Sequence, residues 1–282
     1  MLFDRGRSFE VGRGPVIEEG RAMPEAPLRS RPWIGTSWKM TKTRAEANAY
    51  AEALAEAAPT FVDSVNAFVL PAYPLIGPVG ETLVPAGIRV GSQNVHWAES
   101  GAFTGEVSAA MLSEVGATMS AIGHAERRAL FGETDETVRS RAAGALQHGL
   151  TPLICIGESA AERAAGTEVP FVTRQLEIAL TGLASEAVAA TMVAYEPVWA
   201  IGEGSTPATA DQADAMHAVI REALNTRHGE FGAAVPLLYG GSVDIAGAPE
   251  LISAPNIDGL FVGRAAWSAD GFIELARIVA AQ

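Results

Sequence analysis

The chain has 282 residues, of which 48% are hydrophobic and 19% are charged. This composition supplies a large buried core and excludes an intrinsically disordered protein, while the length suits one large α/β barrel or two small domains. With 20 basic and 33 acidic residues the formal net charge is −13, which argues against binding nucleic acid or an anionic membrane through bulk electrostatics. Any anionic ligand must therefore be held by local groups.

The one cysteine, Cys155, cannot form a disulfide within the chain or a multi-cysteine metal site. We expect it to be a small buried side chain in a reducing, cytoplasmic compartment. The longest uncharged stretch, residues 64–80, contains three prolines and is not expected to span a membrane. Residues 1–32 carry six arginines and no apolar run of signal-peptide type, so we expect a flexible extension, or a natural start near Met23, before a catalytic domain at 33–282.

From residue 33 onwards, short apolar runs alternate with helix-like stretches, which is typical of repeated βα units. The eight predicted strands each end at a loop rich in Gly, Pro, His or charged residues: 33–37, 67–71, 89–93, 119–123, 152–156, 192–195, 236–239 and 259–262. The clearest predicted helices are 44–58, 138–148, 210–227 and 271–280. This pattern predicts a single-domain (β/α)8 barrel, and no Gly-rich dinucleotide fingerprint follows the first strand.

The chemically unusual residues directly follow predicted strands. Lys39 comes after strand one, His124 and Glu126 after strand four, and Glu196 after strand six. Active sites of such barrels lie at the carboxyl ends of the strands, and the loops after strands seven and eight commonly bind phosphate. The sequence therefore predicts a site for an anionic substrate that undergoes proton transfer.

Glu196 closes an apolar run and is followed by Pro197, which fixes the backbone. It is either a general base at the barrel mouth or a structural ion pair at a strand end. The Gly-rich segment 202–207 then connects to a helix. This segment is either a hinged lid over the site or a passive surface loop.

His124 precedes a short helical stretch at 126–130, whose positive dipole end favours a neutral imidazole. Such a ring can polarise a carbonyl, although an isolated histidine is also commonly structural. Lys39 is either a solvated surface charge or a group that neutralises a bound phosphate. In the second case Glu126 is its natural internal partner.

Six segments of the chain resemble the signature segments of the triosephosphate isomerase family, in the same order and with similar spacing. They are residues 35–40, 100–106, 122–128, 155–158, 195–202 and 239–243. The most specific runs read AYEPVWAIG at 194–202 and GHAERR at 123–128. The resemblance extends from about residue 33 to the end of the chain.

The resemblance implies an isomerase with no metal or organic cofactor that acts on a small sugar phosphate. It implies that Glu196 takes a proton from the carbon beside the carbonyl. Neutral His124 would stabilise the enediolate and move protons between its oxygens, and Lys39 would hold the phosphate and steady the developing charge. Phosphate contacts would come from the lid and the two late loops, through Gly202, Ser242 and Gly263.

The resemblance also implies a homodimer in which the loop after strand three inserts into the partner subunit. The run Thr104-Gly105-Glu106 matches the tip of that loop. The neighbouring Phe103 is an aromatic side chain among small residues, which suits insertion into a two-fold interface.

The chain departs from the family pattern at four places. Where the family has an Asn two residues before the lysine, this chain has Ser37, and where the family has a Ser after the histidine, it has Ala125. Arg264 replaces the family's second Gly after strand eight. The lid, 202–209, is one residue longer than the usual form and lacks its Lys. These features, with a Gly-Arg-x-x-Trp ending, look like the branch that converts L-erythrulose 1-phosphate to D-erythrulose 4-phosphate.

Two departures bear on the substrate. The Arg264 guanidinium must either reach the substrate or turn away to pair with a carboxylate such as Glu203. Ser37 and the longer lid should leave room for one more hydroxymethyl unit. We therefore expect a slight preference for the four-carbon substrate. The alternatives are glycolytic triose phosphates and, more remotely, an inactive barrel that serves as a binding or structural protein.

Overall fold

The computed structural model describes residues 28–202 and 206–282, and within these ranges one sheet of eight parallel strands has the order β3-β2-β1-β8-β7-β6-β5-β4. The strands are β1 (Trp33–Ser37), β2 (Asn66–Leu70), β3 (Arg89–Val90), β4 (Met119–Ile122), β5 (Thr151–Ile156), β6 (Met192–Tyr195), β7 (Leu237–Tyr239) and β8 (Gly259–Val262). A parallel bridge between Ser92 and Ser120 joins the two edges of the sheet. The sheet therefore closes into the (β/α)8 barrel that the sequence predicts.

Helices follow the strands along the chain. They are α1 (Arg44–Ala57), α2 (Ile76–Leu83), α3 (Ala109–Glu114), α4 (Ala125–Phe131), α5 (Asp135–Gln147), α6 (Ala160–Ala164), α7 (Glu168–Leu180), α8 (Ser185–Val188), α9 (Ala210–His228), α10 (Glu230–Ala233), α11 (Ala248–Ile252) and α12 (Ala269–Ala280). Short 3-10 turns occupy Leu28–Ser30, Ala58–Thr60, Tyr73–Leu75, Val198–Ala200 and Arg264–Ala266. Within the described residues no helix is long and apolar enough to cross a membrane.

Side-chain caps decide where several helices begin. Thr43 and Glu46 form a reciprocal capping box at the start of α1, in agreement with the predicted helix start at residue 44. The prediction for α5 begins three residues too late. Thr134 accepts the backbone N–H of Thr137, so this helix starts at Asp135 rather than at residue 138.

Strand β3 is shorter than the predicted range of 89–93. A Cβ on Gly91 would lie 2.5 Å from the carbonyl oxygen of Met119, so the two edge strands approach too closely there for any side chain. Beyond Val90 the pairing is reduced to the Ser92–Ser120 bridge, where the Ser92 hydroxyl donates to the Ser120 hydroxyl at 2.8 Å. After the bridge, the Gln93 side chain reaches the carboxyl end of β1, where its Nε2 donates to the Lys39 carbonyl at 2.9 Å.

The barrel interior is filled by large apolar side chains. Trp33 is fully buried, and the rings of Phe68 and Phe261 stack with centroids 5.8 Å apart. Gly35 makes this possible, because a Cβ at that position would lie 1.9 Å from the Phe68 ring. Cys155 is fully buried in the same cluster, as expected.

The first described residues pack against the amino ends of the strands. Leu28 is buried, and its carbonyl accepts the indole N–H of Trp33 at 2.7 Å. Arg29 pairs with Asp258 at 2.7 Å. Residues 1–27 of the predicted extension lie outside the described part of the chain, and its boundary at residue 32 stays a prediction.

Candidate functional site

A cavity of about 500 Å³ opens at the carboxyl ends of the strands. Its walls bring together the sequence-predicted residues Ser37, Lys39, His124, Glu126, Glu196, Gly202, Ser242, Gly263 and Arg264. Thr104 does not line it and lies exposed in the loop after β3. The loops that follow β1, β4, β6, β7 and β8 thus converge on one site, as expected for a barrel enzyme.

Lys39 extends into this cavity from the end of β1. Its Nζ donates to Glu126 Oε1 at 2.5 Å, and both side chains are partly exposed. Its backbone has a φ of 53°, the only positive value at a non-glycine residue among those described. A strained backbone of this kind persists where surrounding contacts hold it, and such residues cluster at functional sites.

His124 caps the amino end of α4. Its Nδ1 accepts the backbone N–H of Glu126 at 3.1 Å, which requires an unprotonated Nδ1 and assigns the proton of a neutral ring to Nε2. This Nε2 lies 3.5 Å from Glu196 Oε1. The imidazole therefore presents a donor at the cavity, close to the candidate base.

Glu196 is 2% exposed and follows β6. Its backbone N–H donates to the Ile156 carbonyl at 2.8 Å, and its Oε2 accepts the Ala125 N–H at 2.8 Å. Gly240 leaves space for this side chain, since a Cβ there would lie 2.9 Å from Glu196 Cγ. Burial first, and then the Glu196 carboxylate, raise the pKa of the Cys155 thiol, so the thiol stays protonated beneath the site.

The loops after β7 and β8 form the opposite wall. The Ser242 hydroxyl donates to the Ala200 carbonyl at 2.7 Å and so ties the loop after β7 to the segment before the predicted lid. Gly263 borders open space. Arg264 is exposed and pairs with no carboxylate of the described residues. Glu203, its suggested partner, lies outside the described residues, together with 204–205 of the predicted lid.

A buried carboxylate anchors the chain between β6 and that lid. Glu158 is fully buried and accepts from Trp199 Nε1 at 2.7 Å, the Tyr195 hydroxyl at 3.0 Å and Arg163 at 3.2 Å. The sequence alone does not assign this role to Glu158. Its place in a signature segment at 155–158 was the only available signal.

The loop after β3 exposes aromatic surface. Phe103, next to Thr104, is 42% exposed and packs on the ring of His96, which stacks on Trp97. Burial lowers the pKa of His96. Arg141 fixes the start of this loop by donating to Asn94 Oδ1 at 2.9 Å. His96 therefore supports this loop and does not line the cavity.

The cavity also has lining residues that the sequence does not single out as site residues. Trp267, Asp244 and Phe261 also border the space. The Phe261 ring meets His124 edge-on, with centroids 6.5 Å apart. Among the described residues, no group of three His, Cys, Asp or Glu side chains is arranged to hold a metal ion.

Comparison with known proteins gives a consistent picture. The family model described as triosephosphate isomerase matches residues 32–279. L-erythrulose-1-phosphate isomerase of Mesorhizobium japonicum is 48% identical over 244 residues, covering 86% of this chain and 95% of that protein. The protein of the same name from Rhizobium etli is 48% identical over 251 residues, covering 88% and 93%.

Among solved structures, triosephosphate isomerase from Bartonella henselae aligns with a TM-score of 0.80 and 34% sequence identity. The alignment covers 88% of this chain and 98% of that one. Fold, order of motifs and family match thus agree over nearly the whole barrel. The chain belongs to the triosephosphate isomerase family and is a sugar-phosphate isomerase.

Proposed function

We propose that this isomerase converts L-erythrulose 1-phosphate to D-erythrulose 4-phosphate. The observation that carries the proposal is the convergence of Lys39, His124 and Glu196 on one cavity whose strand-one wall carries the short side chain of Ser37. Relatives named for this activity, at 48% identity, support it further.

The chemistry of the substrate explains why Ser37 matters. L-erythrulose 1-phosphate is dihydroxyacetone phosphate with a hydroxymethyl group on the carbon that loses the proton. The added group therefore lies at the end of the substrate away from the phosphate, and we assign its contact to Ser37. Ser37 is shorter than the family's Asn, and its hydroxyl accepts only a long bond of 3.4 Å from the Lys39 N–H. It can donate its own proton to the extra hydroxyl.

The isomerisation needs proton transfers only. Glu196 takes the proton from C3, and the C–H electron pair forms the C2=C3 bond while charge moves to the C2 oxygen. His124 Nε2–H and the Lys39 ammonium stabilise that oxygen. His124 then moves the proton of the C3 hydroxyl to the C2 oxygen, and Glu196 returns its proton to C2. The product carries its carbonyl at C3.

One oxygen of Glu196 is anchored, and the other lies 3.5 Å from His124 Nε2 at the cavity. Its Oε2 is held by the Ala125 N–H at 2.8 Å, and the Ala125 side chain offers no second donor. The anchor at Oε2 leaves Oε1 available to take the proton from the substrate carbon. The family resemblance implies a lid at 202–207, of which residues 203–205 lie outside the described part of the chain; exclusion of water by such a lid strengthens both the base and the electrostatic stabilisation.

The phosphate group is held by local donors in an acidic protein. We assign these contacts to Gly202, Ser242 and Gly263, as the family resemblance implies, with the Arg264 guanidinium as an additional cation at the rim. Glu126 keeps the Lys39 ammonium extended into the cavity until substrate binds.

The proposal extends to assembly and location. The exposed Phe103 and Thr104 suit insertion into a second copy, so we infer a homodimer. A cytoplasmic role in erythritol catabolism fits the substrate and the single reduced cysteine.

The second candidate is interconversion of D-glyceraldehyde 3-phosphate and dihydroxyacetone phosphate in glycolysis and gluconeogenesis. It uses the same three residues, and the structural match to a triosephosphate isomerase favours it. An inactive binding or structural barrel is disfavoured, because Lys39, His124 and Glu196 are all present and face one cavity.

Comparing specificity constants for L-erythrulose 1-phosphate and D-glyceraldehyde 3-phosphate on one purified sample tests the proposal. We expect the four-carbon substrate to be preferred by on the order of 10-fold or more. Arg264→Ala should weaken binding of the phosphate group, whereas Arg277→Ala, an exposed arginine on α12, should not. A preference for the triose phosphate refutes the four-carbon assignment. If the protein turns over neither substrate, the remaining candidate is the inactive binding or structural barrel.

A further inference from the structure

Trp267, in the loop after β8, links the phosphate-binding loop at Gly263 to the end of β1. Its indole borders the cavity, and its Nε1–H donates to the Ser37 carbonyl at 3.0 Å. Its own carbonyl accepts from Lys42 Nζ at 2.5 Å. One residue thus connects the loop of Gly263 to the segment that carries Lys39.

That segment needs external support. Lys39 holds its left-handed backbone directly after Ser37 and Trp38, and a residue with a Cβ does not adopt this conformation without contacts that favour it. Gln93 Nε2 donates to the Lys39 carbonyl at 2.9 Å, on the far side of the turn. The indole of Trp267 supplies the matching bond on the near side, at Ser37. Hydrogen bonds from Gln93 and Trp267 therefore hold the turn at its two ends.

Lys42 completes the connection. Its ammonium lies 5.2 Å from the centroid of Trp38 and 5.0 Å from that of Tyr50, in position for cation–π contact with both rings. The Tyr50 hydroxyl donates to the Ala266 carbonyl at 2.9 Å. The loop after β8 is thus bound to the β1 end and α1 by Trp267, Lys42 and Tyr50 together.

We propose that Trp267, held by Lys42, is a positioning residue that fixes the Lys39 ammonium relative to the phosphate-binding loop at Gly263. This inference rests on the proposed function only in that Lys39 stabilises negative charge on the substrate. Because Lys39 would serve the four-carbon and three-carbon substrates alike, loss of the tie lowers turnover of both.

The test compares Trp267→Phe with a matched control, Trp33→Phe. Both changes remove one indole N–H bonded to a backbone carbonyl, but Trp33 lies at the amino end of β1, away from the cavity. We expect kcat of Trp267→Phe to fall at least about 10-fold on both substrates, since a misplacement of 1 Å can cost 10²-fold. Trp33→Phe should lower the melting temperature and keep near wild-type kcat below it. Equal effects on kcat would overturn the proposal.

Lys42 provides a second test. Lys42→Met should lower kcat, Lys42→Arg should restore most of it, and the double variant with Trp267→Phe should lose less than the two separate losses combined, because the two residues act as one unit. If the losses of kcat in the two single variants simply add in the double variant, Trp267 and Lys42 do not act as one unit.

A crystal structure of Trp267→Phe gives a readout that does not depend on the substrate. We expect the Lys39 ammonium to move by about 1 Å from its place at Glu126. An unmoved Lys39, with its φ still near the present value, refutes the proposal even if the enzyme turns over neither sugar phosphate. Failure of the substrate assignment alone would change the ratio of specificity constants and leave this displacement in place.

Discussion

Replacing Glu196 by Asp tests the proton transfer most directly. The change removes one methylene and draws the carboxylate back by about 1.5 Å, one carbon–carbon bond. Glu196 now reaches the Ala125 N–H at 2.8 Å and lies 3.5 Å from His124 Nε2, so the shorter side chain cannot keep both distances. A shift of this size should lower kcat by about 10²-fold or more, which corresponds to about 2.7 kcal/mol of transition-state stabilisation.

The assay measures kcat and KM of Glu196→Asp on both L-erythrulose 1-phosphate and D-glyceraldehyde 3-phosphate. KM should change little, because the base acts mainly in the transition state. Folding should survive, since the backbone N–H of Glu196 still bonds to Ile156 within the sheet. Glu274→Asp, the same change at an exposed position of α12, is the control. Near wild-type turnover of Glu196→Asp on the better substrate would show that Glu196 is not the base.

Three further outcomes follow from the structure. Ser37→Asn should shift the ratio of specificity constants toward D-glyceraldehyde 3-phosphate by about 10-fold, and an unchanged ratio would remove Ser37 from substrate choice. Light scattering should give a dimer of the 29.4 kDa chain that Phe103→Asp dissociates, whereas a wild-type monomer at micromolar concentration contradicts the proposed assembly. Burial lowers the pKa of His217 below 6.5, so the unfolded state binds its proton more readily and stability falls as the pH drops below that value. His217→Gln should flatten this pH dependence in urea unfolding between about pH 7.5 and pH 5, and equal slopes would contradict it.

The barrel could be predicted because its strands are local signals. Each is a short apolar run bounded by turn residues, and the bounds of β1, β6 and β8 follow from the sequence alone. Strand β3 could not be bounded this way. Its end depends on the closeness of Gly91 to Met119, two residues on opposite edges of the open sheet that meet only when the barrel closes.

The same division applies to the site. Lys39, His124 and Glu196 were visible because each directly follows a strand, and the barrel brings the strand ends together. The backbone conformation that orients these side chains could not be predicted from the sequence. The bond from Trp267 to Ser37 spans 230 positions, and no local pattern indicates a left-handed backbone at Lys39. Tertiary contacts decide both.

The missing Cβ of Gly35 has a consequence for redesigning this enzyme. It admits the Phe68 ring, which stacks on Phe261, and Phe261 in turn borders the cavity and meets His124. The floor of the pocket is thus the top of a close-packed aromatic column with little compressibility. Trimming Phe261 to enlarge the pocket would hollow out the barrel itself, at a cost of about 3–5 kcal/mol for Phe→Ala. Directed evolution of substrate range should therefore find tolerated changes at the rim, at positions such as Arg264, and few in the floor.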